Sequence, residues 1–307
     1  MEYVVRTFEL SKKYKRHFAV NGADMNIAKG DIYGFVGENG SGKTTIIRLI
    51  TGLISPTSGS FELFGIKNTS PDISKARRNI GAIVETPSIY QNMSAYDNLK
   101  MQCTLLGISD ENKIVEVLKE IGLYDLYREK KHAGNFSLGM RQRLGIGMAL
   151  LGDPEFLILD EPMNGLDPAG IVEIRELILK LNREKGITFL ISSHILTELS
   201  LVATKYGIIS KGKIIQEITS EELHSLCGKN TLIKTDDADT LFKIVSQMLP
   251  QNTIAYIPNG INIVGNIELN ELLDTIIKAG IKIQSINCTE SSFEDYYLSV
   301  VGGAKNV

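Results

Sequence analysis

Gly37-Glu38-Asn39-Gly40-Ser41-Gly42-Lys43-Thr44 decides the fold. The segment fits G-x-x-x-x-G-K-[ST], with the apolar run Ile32-Tyr33-Gly34-Phe35-Val36 ahead of it and a helical stretch, Thr44 to Thr51, behind it. A glycine-rich loop between a strand and a helix is the frame that cradles phosphate. Its glycines let the backbone curl until several N–H groups converge on anionic oxygens. The helix N-terminus adds its positive dipole end to the same spot. Lys43 supplies a point charge for the β- and γ-phosphates, and the Thr44 hydroxyl can bind Mg2+. Gly37 to Thr44, with Thr45 after them, are therefore the candidate nucleotide contacts. On its own the loop says only that a nucleoside triphosphate binds.

A second stretch narrows the chemistry. Phe156-Leu157-Ile158-Leu159-Asp160-Glu161-Pro162 is an apolar run ending in two carboxylates. Such a run suits a fully buried parallel strand, and ligands in α/β folds sit at the carboxyl ends of strands. Asp160 is then placed to reach the Mg2+ shell, and Glu161 to polarise the water that attacks the γ-phosphate.

Composition excludes several other classes. The chain has 307 residues, room for about two domains. It is 43% hydrophobic and 22% charged, ordinary globular usage. With 33 basic against 36 acidic residues the net charge is −3, against the basic excess expected of a nucleic-acid binder. No apolar run approaches the roughly 20 residues that span a bilayer, and the first residues show no secretory pattern. Cys103, Cys227 and Cys288, odd in number and far apart, form neither a disulfide framework nor a zinc pattern. A cytosolic protein without nucleic-acid partners is expected.

Texture divides the chain. Residues 1–227 alternate apolar runs, glycine-rich turns and long periodic helices, an α/β pattern with a helical subdomain at about 86–152. Residues 228–307 predict a small α+β domain. Its strands are expected at Thr231–Lys234, Ile261–Val264 and Ile281–Ile283, and its helices at Ala238–Leu249 and Leu269–Ala279. The acidic excess lies in this tail, and the boundary is expected in the polar hinge Leu226–Asn230. In the first part, the stripe Ile171, Ile174, Ile178 and Leu181 marks a helix face that packs into the core.

Four further segments carry a resemblance. Asn135-Phe136-Ser137-Leu138-Gly139-Met140-Arg141-Gln142 is similar to the "LSGGQ" signature of ATP-binding-cassette (ABC) ATPases. Asn164-Gly165-Leu166-Asp167-Pro168 resembles that family's D-loop, and Ile191-Ser192-Ser193-His194 its switch histidine. Tyr14, placed in a basic stretch ahead of the first strand pair, matches the aromatic A-loop residue. These elements fall in the family's order across roughly residues 3–217.

The resemblance implies two ATPase domains meeting head to tail, each signature capping the ATP on its partner's phosphate loop, with a homodimer expected. Ser137 would N-cap a helix running to about Leu151 and present its dipole to the γ-phosphate in trans. Gly139 would let backbone approach the phosphate. Tyr14 would stack on adenine, His194 would hold the γ-phosphate and attacking water, and Asp167 would couple the two sites.

Two departures refine the picture. Leu138 and Met140 stand where the family commonly has glycine and glutamine, and Glu85, in Ile83-Val84-Glu85-Thr86-Pro87, stands in the Q-loop position. A carboxylate at 85 cannot donate a hydrogen bond unless protonated, but it can bind Mg2+ directly. Alternatively Glu85 is a solvated acid that the site does not use. Ser-Leu-Gly-Met with a glutamate Q-loop, and the tail Thr289–Leu298, resemble the bacitracin-exporter and lantibiotic-immunity group. In that group the ATPase is a separate chain at the cytoplasmic side of the membrane, docked under permeases. A groove near Pro87–Leu105 is expected to receive a permease helix, with Ser94 capping the helix beside it.

The leading expectation is thus the ATP-hydrolysing motor of a peptide-antibiotic exporter, the alternative an ATPase of another drug, lipid or small-molecule exporter. A soluble ABC ATPase acting on DNA or ribosomes fits less well, since the chain has one cassette, no sustained heptads and no basic stripe. A module that binds ATP without turnover is disfavoured by Glu161. The tail reads equally as a regulatory or dimerising module and as a stabilising appendage.

Overall fold

The computed structural model describes residues 2–227, 229–265, 267–290 and 292–303. They form two compact units, dividing between Thr219 and Ser220.

In chain order the first unit opens with β1 (Tyr3–Tyr14), β2 (His17–Ala23), β3 (Asn26–Ala28), β4 (Ile32–Val36) and α1 (Lys43–Thr51). β5 (Ser58–Leu63), β6 (Ile66–Lys67), α2 (Ile73–Arg78) and β7 (Ile80–Ile83) follow. A helical stretch comes next, with α3 (Ala95–Leu106), α4 (Asn112–Glu120) and α5 (Leu138–Leu150). The unit closes with β8 (Phe156–Asp160), α6 (Pro168–Lys185), β9 (Thr188–Ser193), α7 (Leu196–Ser200), β10 (Lys205–Ser210) and β11 (Lys213–Thr219).

The central sheet runs β11-β10-β4-β9-β8-β7, parallel except for β11. Every residue of β4, β8 and β9 is buried, as central parallel strands covered on both faces require. A second, antiparallel sheet runs β2-β1-β5-β6, with β3 on β1. α1 turns one apolar face inward, on which Ile46, Ile47, Leu49 and Ile50 are fully enclosed. They share one core with Val5, Leu10 and Phe61 of the antiparallel sheet and Phe35, Ile158 and Leu190 of the central one. Burial on that scale, roughly 2 kcal/mol per large apolar side chain, holds the phosphate-loop helix rigidly.

The helical stretch is capped as its sequence predicts. Ser94 and Asp97 form a reciprocal capping box at the start of α3. On α6, Ile174, Ile178 and Leu181 of the expected stripe are buried, while Ile171, in the first turn, is only half-buried. Tyr14 is not ahead of the first strand pair: it ends β1 and faces His17 across the β1–β2 hairpin, because β1 runs on through Lys12 and Lys13.

The second unit contains α8 (Ser220–Leu226), β12 (Lys229–Thr235), α9 (Ala238–Met248), β13 (Thr253–Ile257) and β14 (Gly260–Val264). It ends with α10 (Leu269–Lys278), β15 (Ile283–Glu290) and α11 (Phe293–Gly303). α8 therefore starts right after β11, ahead of the hinge expected at residues 226–230. The sheet order β13-β14-β12-β15, antiparallel throughout, with α9 and α10 as crossovers, is the split βαβ arrangement. Ile233, Leu241, Val245, Ile261, Ile263, Leu272 and Ile276 form its core.

Two strands depart from expectation. The strand expected at 281–283 begins at Ile283 and runs to Glu290. Its register slips opposite Lys234 and Thr235, so Ile283 and Ile286, three apart, both pack into the core, and the period-two signal is lost. β13, unanticipated, is a half-exposed edge strand with a correspondingly weak apolar pattern.

Candidate active site

Three central strands end side by side, and the site is built on their carboxyl ends. β4 leads into the phosphate loop, β8 into Asp160-Glu161, and β9 into Ser193-His194. The loop wraps a cavity of about 190 Å3 lined by Glu38, Asn39, Gly40, Lys43, Thr44 and Glu161, with Gly42, Thr45 and Ala19 completing it. Glycine is obligatory at two points. Gly42 adopts φ 115°, and a Cβ there would lie 2.5 Å from the Ala19 carbonyl. A Cβ at Gly37 would fall 2.5 Å from both the Ile209 carbonyl and Ser41 Oγ.

Lys43 is 6% exposed, and its Nζ donates to the Gly37 carbonyl at 2.6 Å. Its charge also lies 3.7 Å from Glu161 Oε1. A buried ammonium held by carbonyls and one carboxylate is a cation poised for a better anion. Ser41 Oγ is buried without a hydrogen-bond partner among the described residues.

Asp160, 2% exposed, accepts from Thr44 Oγ1 at 2.9 Å and from Ser192 Oγ at 2.5 Å. The Glu161 N–H donates to Ser192 Oγ at 3.0 Å, so this serine sets the turn after β8 from the neighbouring strand. Glu161 itself adopts φ 52°, a left-handed conformation uncommon for glutamate. Its Oε2 lies 2.7 Å from His194 Nδ1. A hydroxyl beside a buried carboxylate is a hard-oxygen pair suited to Mg2+.

Other expected residues stand apart from the cavity. Ser137 is exposed and caps α5, accepting from the Met140 N–H at 3.2 Å. Asp167 caps α6 in the same way through the Gly170 N–H. Gly139 is covered within its own unit by Gly170 and Leu166. Tyr14 is exposed, with Lys12 Nζ 5.4 Å from its ring centroid. None of the four lines the cavity. Neither does Glu85: it adopts φ 65°, and its Oε1 sits 2.5 Å from an Arg48 guanidinium nitrogen.

Sequence reasoning assigned no role to Ser192, Arg48 or Gln142. Gln142 Nε2 donates to the Pro162 carbonyl at 3.0 Å, tying the signature helix to the loop after Glu161. Nothing in the local sequence marks these three, because each acts on a partner 20 or more residues away.

A phosphate loop, an acidic strand end and a histidine at the next strand end together define a P-loop nucleoside-triphosphatase. Comparison with known proteins carries this further. The ABC transporter family matches residues 20–164. The bacitracin transport ATP-binding protein BcrA of Bacillus licheniformis is 41% identical over 305 residues, 99% of each chain. The lantibiotic transport ATP-binding protein SrtF of Streptococcus pyogenes is 45% identical over 228 residues, 73% of this chain and 96% of that one. Among solved structures, cbiO1 of Clostridium perfringens, part of an ABC transporter complex, superimposes with a TM-score of 0.66 at 27% identity, covering 82% of this chain and 97% of its own. An ABC cassette in its ADP conformation gives 0.65 at 27% identity, covering 72% and 93%. The chain belongs to the ABC transporter family and is an ATP-binding, ATP-hydrolysing subunit of it.

Proposed function

We propose that this chain powers a separate membrane permease that expels an antimicrobial peptide of the bacitracin or lantibiotic kind. The observation that carries its ATPase half is the placing of Glu161, which lines the phosphate-loop cavity with Lys43 3.7 Å from one carboxylate oxygen and His194 2.7 Å from the other. The cargo half is supported by full-length likeness to a bacitracin transport ATP-binding protein.

In this reading the loop N–H groups and Lys43 hold the β- and γ-phosphates. Lys43 exchanges its carbonyl and Glu161 contacts for phosphate oxygens, leaving the Glu161 carboxylate for a water. Glu161 accepts that water's proton, while His194 orients the carboxylate and meets the γ-phosphate. Thr44 and Asp160 are the residues to hold Mg2+, which when bound neutralises phosphate charge; Glu85 is the third candidate ligand. A second copy packs head to tail, so that exposed Ser137, which does not line its own cavity, caps the ATP of the partner, with Gly139 behind it in the same helical turn, and Asp167 links the two sites. Tyr14, exposed on the hairpin, stacks on adenine.

The permease docks at a groove of about 240 Å3 lined by residues that include Ile83, Thr86, Pro87, Gln102, Leu106 and Gly145. Attachment to the cytoplasmic face runs through the permease, as the family resemblance implies; among the described residues no helix is long and apolar enough to cross a membrane. The split βαβ unit serves as an accessory module, regulatory or dimerising.

A growth-inhibition panel tests the reading. Cells lacking the chain are complemented with wild type or Glu161→Gln and challenged with bacitracin, several lantibiotics and unrelated drugs. Protection by wild type alone against one peptide class is expected. Equal sensitivity across the panel would refute the peptide cargo and favour another exporter.

A further inference from the structure

The Glu85 carboxylate does not face the phosphate-loop cavity, although its neighbour in role, Glu161, does. It is turned onto Arg48, 2.5 Å from the guanidinium. Arg48 lies on α1 four residues beyond Thr44, so the two side chains share one helix face, a single turn of about 5.4 Å apart. Thr44 in turn bonds the buried Asp160. One face of α1 therefore carries a hydroxyl of the Mg2+ pair at one turn and the arginine that holds a third carboxylate at the next. α1 is fixed by its enclosed isoleucines, while Glu85 sits in a loop after β7, on a left-handed backbone. Arg48 thus stands on the anchored backbone, and Glu85 is the more exposed partner.

We propose that Arg48 is a positioning residue that competes with the divalent cation for the Glu85 carboxylate. Paired with Arg48, Glu85 is withheld one helical turn from the metal position and its charge is neutralised. Released, it becomes an additional hard-oxygen ligand beside Thr44 and Asp160. The pair is partly exposed, 39% at Arg48 and 61% at Glu85, so the competition is weak and reversible rather than a lock. A glutamine at position 85 would carry no charge for the arginine to hold, so the device belongs to the glutamate-bearing loop. This inference rests on the Mg2+ site proposed above.

The test is Mn2+ binding, read by electron paramagnetic resonance on the full chain saturated with a non-hydrolysable ATP analogue. Arg48→Gln is expected to tighten Mn2+ about three-fold, the size an exposed ion pair supports. Arg48→Lys, a point charge without the planar fork, falls between it and wild type. In a Glu85→Gln background, Arg48→Gln should change Mn2+ affinity no further. Equal affinity in wild type, Arg48→Lys and Arg48→Gln overturns the proposal, and so does a shift that persists without the Glu85 charge. Should Arg48→Gln fail to fold, the Arg48→Lys shift and its loss in the Glu85→Gln background decide alone. Absence of Mn2+ binding in wild type would instead refute the Mg2+ site itself.

Discussion

His194 Nδ1 lies 2.7 Å from Glu161 Oε2, although 33 residues separate them. β8 and β9 are adjacent and parallel, so their carboxyl ends deliver both side chains to one place. The carboxylate is thereby shared between the histidine and Lys43, on opposite oxygens. Glu161→Gln keeps the shape and removes the base. ATP turnover is expected to fall by at least about 100-fold with nucleotide retained, measured as phosphate release and binding of labelled ATP. Normal turnover would end the assignment of Glu161 as base.

Lys43→Ala removes the one buried cation of the cradle. ATP affinity should weaken by more than about ten-fold, since a charge-assisted contact to phosphate contributes about 1.5–3 kcal/mol. Equilibrium titration with a fluorescent ATP analogue reads the change, and an unchanged Kd would contradict the cradle.

Ser192→Ala should destabilise the unit by about 1–3 kcal/mol, because buried Asp160 Oδ1 loses the hydroxyl it accepts from, while the Glu161 N–H keeps the Ser192 carbonyl at 3.1 Å. Chemical denaturation measures it. Stability equal to wild type would mean that water replaces the hydroxyl without cost.

Gly42→Ala and Gly40→Ala separate steric conflict from backbone strain. Both positions have positive φ, but a Cβ at Gly40 meets nothing within 4 Å, whereas at Gly42 it meets the Ala19 carbonyl at 2.5 Å. Gly40→Ala should cost only the left-handed strain of about 1–2 kcal/mol, and Gly42→Ala clearly more, with loss of ATP binding. Thermal unfolding with and without nucleotide reads both, and equal costs would refute the close approach.

Glu120 supplies a pH dependence. Burial alone would raise its carboxyl, but Lys185 and Lys180, at 2.6 and 3.2 Å, hold it below its ordinary 4.5. A depressed folded-state value adds stability above pH 4.5 that is lost as pH falls below it. Glu120→Gln should therefore flatten the acid side of the stability curve. Denaturant midpoints at pH 6 and pH 4 that shift equally in both proteins would exclude this.

Much of the molecule was legible in its sequence. Gly37 to Thr44, Asp160-Glu161 and the segments at 135–142, 164–168 and 191–194 are local patterns whose chemistry each stretch carries by itself. The caps Ser94 and Ser137 follow for the same reason, since a cap bonds an N–H three residues away. The register slip that brings Ile283 and Ile286 to one face depends on β12, about 50 residues earlier, and no period within β15 announces it.

By itself, then, the sequence determined the cassette, its phosphate loop and its acidic strand end, because these are written in contiguous residues with fixed spacing. Tertiary structure alone decided that Ser192 bridges Asp160 and Glu161, that Gln142 holds Pro162, and that Glu85 turns to Arg48 rather than to the cavity. Those contacts join residues 20 to 37 positions apart. Strand order and helix packing set them, and no local propensity encodes either.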